Sequence, residues 1–154
     1  MPKLDLAAIA PSTGCNYPAP FAEICLGADW RKLGDAAGLT DFGVNLVRLP
    51  PGKWSSQRHW HSEEDEFLWM LEGEVVLVED DGEQVLRPGD ACGWKAGVAN
   101  GHHVQNRADR DAVYLEVGSR RPQTDGCDYP DIDMVSHPQG AHYRHHDGTP
   151  YPQD

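Results

Sequence analysis

His59 and His61 stand two residues apart, and Glu66 follows five residues after His61. Alternate residues of a β-strand share a face, so both imidazoles point the same way. Five is an odd offset, which would turn Glu66 to the opposite face of one continuous strand. The polar Ser62-Glu63-Glu64-Asp65 between them reads instead as a turn. From it Glu66 opens a returning antiparallel strand and faces both histidines. Two imidazoles and a carboxylate converging from neighbouring strands are ligands for a divalent transition metal. Later, Gly101-His102-His103-Val104-Gln105-Asn106 offers a fourth ligand: His102, Val104 and Asn106 share one face, and His103 takes the other. Alone, a His-x-His pair reads as two solvated strand residues; the carboxylate and the later histidine make it a candidate metal site.

Such a cluster needs strands to position it, and the chain is patterned for them. Residues 42–49 are strand-like and stop at Pro50-Pro51-Gly52, which cannot continue a central strand. Residues 67–73 and 74–79 follow, Asp80-Asp81-Gly82 is a hairpin signal, residues 83–90 return from it, and 112–118 form a last strong strand. Leu68 and Met70 share the face of Glu66 and are expected to line an apolar interior. Trp60 and Trp69 alternate away from the ligands, toward an interface or outer layer. Val75 to Val78 is apolar on both faces, as a strand covered by the N-terminal arm or a second subunit would be. Upstream, residues 30–39 read as a short helical turn ended by Gly38. Downstream, the chain is polar and proline-rich, with residues 129–134 as its expected edge strand. The expected organisation is an N-terminal arm and edge strand over 1–41, a β-barrel core over 42–121 and a C-terminal extension over 122–154.

Sixteen glycines and twelve prolines in 154 residues speak for many turns and against a helical bundle. The formal charge of −12 excludes nucleic acid as a partner, because the chain would repel a phosphate backbone. Eleven of the 25 acids lie between residues 61 and 90, and apart from Glu66 they read as solvated. No apolar run approaches the ~18 residues of a membrane span, and the N-terminus lacks a signal peptide's apolar stretch. Cys15, Cys25, Cys92 and Cys127 are widely spaced without a Cys-x-x-Cys pair. They are expected as reduced thiols in a cytoplasmic protein, Cys92 as a small hydrophobe.

The stretch from His59-Trp60-His61 through Glu66 to Gly73 resembles the first motif of the cupin superfamily: a glycine, His-x-His, a glutamate and a further glycine. Residues 89–106, with Gly89, Gly97, His102 and Asn106, resemble the second, in which a metal-binding histidine is followed by an asparagine. The flanking phrases resemble a group of small single-domain bacterial cupins. Three departures stand out. Gly52 lies one residue far from His59, Lys95 replaces a common turn proline, and two extra residues separate Gly97 from His102. Strict counting would place Asn100 at the ligand position, whereas the spacing to Asn106 selects His102; Asn100 and His103 remain the alternatives. The resemblance implies an all-β, double-stranded β-helix (jelly-roll-like) cupin barrel, and a homodimer joined through outward apolar residues such as Trp60, Phe67 and Trp69. His137, His142, His145 and His146 lie in the polar tail and are expected to be solvated.

His59, His61, Glu66 and His102 around one divalent Fe, Mn, Ni or Zn ion would leave a local charge of about +1. That suits a small oxygen-rich or carboxylate-bearing ligand. The resemblance spans isomerases, lyases, dioxygenases and proteins that only bind or sense a ligand. An enzyme needs a proton-transferring group outside the ligand set, and Tyr114 and Glu116, which share a face of the last strand, are the candidates. Whether that face points inward is open at this level.

Overall fold

The computed structural model describes residues 3–138 and 143–152. Its strands run β1 (Ser12–Thr13), β2 (Asp29–Lys32), β3 (Phe42–Leu49), β4 (Trp60–His61), β5 (Glu66–Glu72), β6 (Val75–Glu79) and β7 (Gly82–Leu86). They continue as β8 (Ala91–Trp94), β9 (His103–Gln105), β10 (Ala112–Ser119), β11 (Cys127–Tyr129), β12 (Met134–Ser136) and β13 (Tyr143–Arg144). Among the described residues there is one short α-helix, α1 (Leu33–Ala36), with 3-10 turns at Leu6–Ala8 and Glu23–Cys25. The β3, β5 and β10 segments alternate apolar and polar residues or are rich in Val and Leu, as half-buried strands must be.

One antiparallel layer has the order β1-β2-β3-β10-β5-β8. Facing it are a three-stranded sheet, β7-β6-β9, and a four-stranded sheet, β13-β12-β11-β4. Antiparallel bridges Trp54↔Gln105 and His59↔His102 join the two smaller sheets along their edges. Val47, Leu49, Leu68, Met70, Ala112 and Tyr114 of the large sheet pack against Val75, Leu77, Leu86 and Val104 of the facing layer. Each fully buried Val, Leu or Met among them contributes about 1.5–3 kcal/mol. The chain is therefore all-β in the expected jelly-roll manner. Among the described residues no helix is long and apolar enough to cross a membrane.

Gly73 shows why one motif glycine is needed. It turns β5 into β6 at φ 71°, and a Cβ there would stand 2.6 Å from the Asp111 carbonyl oxygen. Any side chain would push β10 away from the hairpin. The Asp80-Asp81 loop connects β6 to β7 as expected, with Glu79 paired to Gly82.

Two local expectations are corrected. Trp30 to Lys32 belong to β2, not to a helix, because Trp30 pairs with Val47 and packs on the core; only Leu33–Ala36 is helical before Gly38. Residues 129–134 are not one edge strand. Tyr129 ends β11, Met134 opens β12, and the intervening Pro130 to Asp133 form the turn, closed by Ile132 N–H donating to the Tyr129 carbonyl at 3.1 Å. The segment beyond residue 122 thereby pairs with β4, Cys127 lying opposite His61.

Candidate metal centre

His59 and His102 face each other across a two-way backbone bridge: His59 N–H donates to the His102 carbonyl at 3.2 Å and His102 N–H to the His59 carbonyl at 2.9 Å. His61 ends β4 and Glu66 begins β5 after the predicted turn. Arg58 anchors this corner, donating to both Asp131 carboxylate oxygens at 2.7 and 2.6 Å, to the Gly101 carbonyl at 3.1 Å, and to Asp80. A planar guanidinium serves this purpose because its fork fixes direction as well as distance.

Each histidine is oriented through Nδ1. His59 Nδ1 meets the Gln57 carbonyl at 2.8 Å, His61 Nδ1 an Asp125 oxygen at 2.7 Å, and His102 Nδ1 the Asn100 carbonyl at 3.2 Å. Carbonyl and carboxylate oxygens only accept, so Nδ1 carries the proton and Nε2 is turned to the centre. All three Nε2 atoms face the same oxygen, Glu66 Oε2, at 4.0 Å from His59, 3.6 Å from His61 and 2.7 Å from His102. At 2.7 Å His102 Nε2 hydrogen-bonds Glu66 in the metal-free chain. Three imidazoles and a carboxylate also make a donor set that fits a divalent metal, which would take the place of the protons between them. The ligand atoms of His59, His61 and Glu66 lie within 4.8 Å of one another.

The electrostatics follow from burial and charge. Burial lowers His59 to about 4, against the pull of Glu66, leaving it neutral. Burial works against the His61 proton too, but Cys127, Glu66 and Asp125 outweigh it and raise the group to about 10. Burial alone would raise Glu66; the His102 hydrogen bond and the neighbouring imidazoles instead hold it near 2.

Of the alternatives to His102, neither faces the centre. Asn100 donates to Glu79 at 3.0 Å and accepts from Asp80 N–H at 3.2 Å. His103 points the opposite way, bonding the Ser56 carbonyl at 2.8 Å and meeting Trp54 edge-on. Asn106 is buried and structural, donating to the Leu49 and Arg110 carbonyls at 2.7 and 2.8 Å.

Three contributors escaped the sequence reading. Trp94 stacks on His102 with centroids 3.9 Å apart, its indole N–H fixed on Glu79 at 2.8 Å. Asp125 and Cys127 flank His61, and together the three form a second group of ligand atoms within 4.8 Å. No spacing rule links residue 125 to residue 61; only the β11–β4 pairing does. Asp125→Asn is expected to weaken metal binding about 10–100-fold by loosening the His61 ring, as measured by competition against a chelator. Unchanged affinity would show that Asp125 does not orient the ligand.

Tyr114 and Glu116 do point inward. Glu116 and Ser55 border each of two cavities. The smaller, about 30 Å³, is bordered by His59, Glu66 and His102; the larger, about 190 Å³, by Tyr114, Trp30 and Val47. Glu116 accepts from Asn45 Nδ2 at 3.4 Å, and burial, with the Glu66 charge, raises its carboxyl to about 7. Tyr114 is 1% exposed, and burial with the Glu116 charge raises its phenol well above the ordinary value. Leu68 and Met70 are buried in the interior as expected, and Phe67 and Trp69 are exposed on the outer face of β5. The four cysteines are free; Cys25 is buried, and Cys92 packs against the core with its thiol pushed up to about 12 by burial. In the tail, His145 and His146 each bond Asp133, at 2.9 and 2.8 Å, His137 is exposed, and His142 lies outside the described residues.

The family model for the cupin domain matches residues 45–118, across both motifs. A crystal structure of a sugar phosphate isomerase of the cupin superfamily from Silicibacter pomeroyi is 45% identical, with a TM-score of 0.92, covering 99% of this chain and 98% of that one. A provisional sugar phosphate isomerase from Acidithiobacillus ferrooxidans is 30% identical, with a TM-score of 0.67, over 80% of this chain and 74% of that one. A predicted oxalate decarboxylase from Thermotoga maritima, 22% identical with a TM-score of 0.62 over 77% of this chain and 99% of that one, shares the fold. No protein of curated function matches. Identity over nearly the whole length of the Silicibacter protein, with the cupin-domain match, shows that the chain belongs to the cupin superfamily.

Proposed function

We propose that this protein is a metal-dependent enzyme that isomerises a small hydroxycarbonyl compound by moving a proton between adjacent carbons. The observation that carries this reading is Glu116, a carboxyl raised to about 7 that borders the same cavity as His59, Glu66 and His102. A base poised near neutrality beside a ligand set is what proton abstraction next to a carbonyl requires. The names of the relatives at 45% and 30% identity point the same way.

His59, His61, Glu66 and His102 would hold the ion, Fe, Mn, Ni or Zn, and it would supply a Lewis acid able to polarise a carbonyl and acidify the neighbouring C–H bond. Asn45 orients the Glu116 carboxylate. Glu116 takes the proton from the carbon beside the carbonyl and returns it to the former carbonyl carbon. The hydroxyl proton passes between the two oxygens, so that no atom is gained or lost. Leu68, Val104 and Trp94 wall the small cavity with apolar surface that limits water.

Metal-loaded protein incubated with aldoses in deuterated water is expected to yield the ketose with deuterium at the exchanged carbon, followed by NMR. If ligands raise Tm but no carbon-bound proton exchanges, the protein is a metal-loaded binding or sensing cupin instead. The reading also takes the protein as cytoplasmic and as a homodimer joined through the exposed Phe67 and Trp69 face. Sedimentation should give twice the 17.0 kDa chain mass, and a monomer at micromolar concentration would refute the dimer.

A further inference from the structure

We propose that the 190 Å³ cavity behind Glu116 receives the far end of the substrate, and that this end is an uncharged hydroxylated fragment rather than a phosphate ester. The proposal rests on the isomerase reading and narrows its substrate class. Glu116 and Ser55 border both cavities, so the larger one lies directly beside the base that faces the ligand set. That space is several times what a single water needs, room for a fragment of a few carbons.

The lining decides the chemistry. Among the residues that border the larger cavity there is no Lys, Arg or His, and the one carboxyl there is Glu116. Cys25 stays a thiol, its acidity suppressed to about 12 by burial. A phosphate dianion in this space would lose its hydration beside a carboxylate with no cation to meet it. The outer turn is no kinder to an anion, since Glu63, Glu64 and Asp65 lie between His61 and Glu66.

A second observation calls for a ligand. The Tyr114 hydroxyl is buried without a hydrogen-bond partner among the described residues. Orphaned buried hydroxyls are rare because they cost stability, and an oxygen of a bound molecule would complete this one. Tyr114 stays protonated, so it donates a neutral hydrogen bond of the kind that recognises a hydroxyl or carbonyl oxygen. Trp30 and Val47 supply the apolar wall against which the carbon face of such a fragment packs.

The test is calorimetric titration and thermal shift of metal-loaded and metal-free protein with four- to six-carbon aldoses and ketoses, their terminal phosphate esters, and inorganic phosphate alone. Free sugars are expected to bind the loaded protein at least ~10-fold more tightly than their esters, a difference set by the unpaired charge. Tyr114→Phe should weaken free-sugar binding about 5–10-fold, the worth of one neutral hydrogen bond. It should leave the Tm of the ligand-free protein unchanged or raised. Tighter binding of the phosphate esters would overturn the proposal while leaving the isomerase reading standing. Unaltered sugar affinity in Tyr114→Phe would equally overturn it. Metal uptake with no binding of either sugar form would remove the isomerase reading and this proposal together.

Discussion

Glu66→Ala is expected to lose more than ~100-fold in metal affinity, beyond the 10–100-fold typical of an outer-shell change, and about a thousand-fold or more in turnover. The reason is geometric: Glu66 Oε2 is the one atom that the Nε2 of His59, His61 and His102 all face. Without it three imidazoles remain, with no anionic ligand to offset the charge of a dication. Glu66→Gln separates charge from shape, since the amide keeps the volume and one acceptor oxygen. It should recover little of the affinity if charge dominates. Metal content after dialysis against a chelator is the direct measurement. Near-stoichiometric metal in Glu66→Ala would mean that His61, Asp125 and Cys127, the neighbouring group, are the true binding set.

Glu116→Gln should act in the opposite way, sparing the metal and removing the chemistry. A loss of about 10²–10⁴-fold in turnover is typical for a general acid–base residue, and metal content should equal wild type. The amide can still accept from Asn45, so the local packing survives. The pH dependence gives an independent signature. Burial raises the folded carboxyl from 4.5 to about 7. The reactive base is the ionised form, so wild-type turnover rises with pH through this titration, and Glu116→Gln lacks that limb. A bound dication favours the carboxylate and moves the midpoint below its metal-free position. Stability runs the other way. With the folded group binding its proton more tightly than the unfolded one, its contribution is complete below about 4.5 and is lost as pH rises through about 7. Metal-free wild type should therefore lose stability across that window relative to Glu116→Gln. Equal pH–rate profiles for the two proteins would exclude Glu116 as the base.

The parts of this molecule readable from the chain were those encoded by short-range pattern. His59, His61 and Glu66 were recoverable because strand alternation and one turn determine their relative faces. His102 needed the spacing to Asn106 to separate it from its neighbours, and the structure shows why that spacing is informative. Asn106 is pinned to Leu49 and Arg110, which sets the register of the strand that follows His102. The inward face of Tyr114 and Glu116 became visible only through pairing, since Glu116 stands between Asn45 and Leu68 in the large sheet. Trp30 was misassigned because a short polar run with one aromatic carries no clear period, and its strand character comes from pairing with Val47. Asp125 and Cys127 were missed for the same cause on a larger scale. They meet His61 from more than sixty residues away, through a contact that local propensity does not encode.

The pairing of β11 with β4 bears on how the site is born. His59, His61, Glu66 and His102 leave the ribosome before Asp125 and Cys127, which adjoin His61. At ~5–20 residues per second, the gap between His102 and Cys127 lasts on the order of a few seconds. For that interval a growing chain has the proposed ligands but not the Asp125 carboxylate that bonds His61. An ion captured then would follow intrinsic affinity, the order that favours copper over its first-row neighbours, rather than the geometry of the finished barrel. On the proposed reading, faithful metal choice would belong to the completed protein, after the C-terminal hairpin has closed on His61.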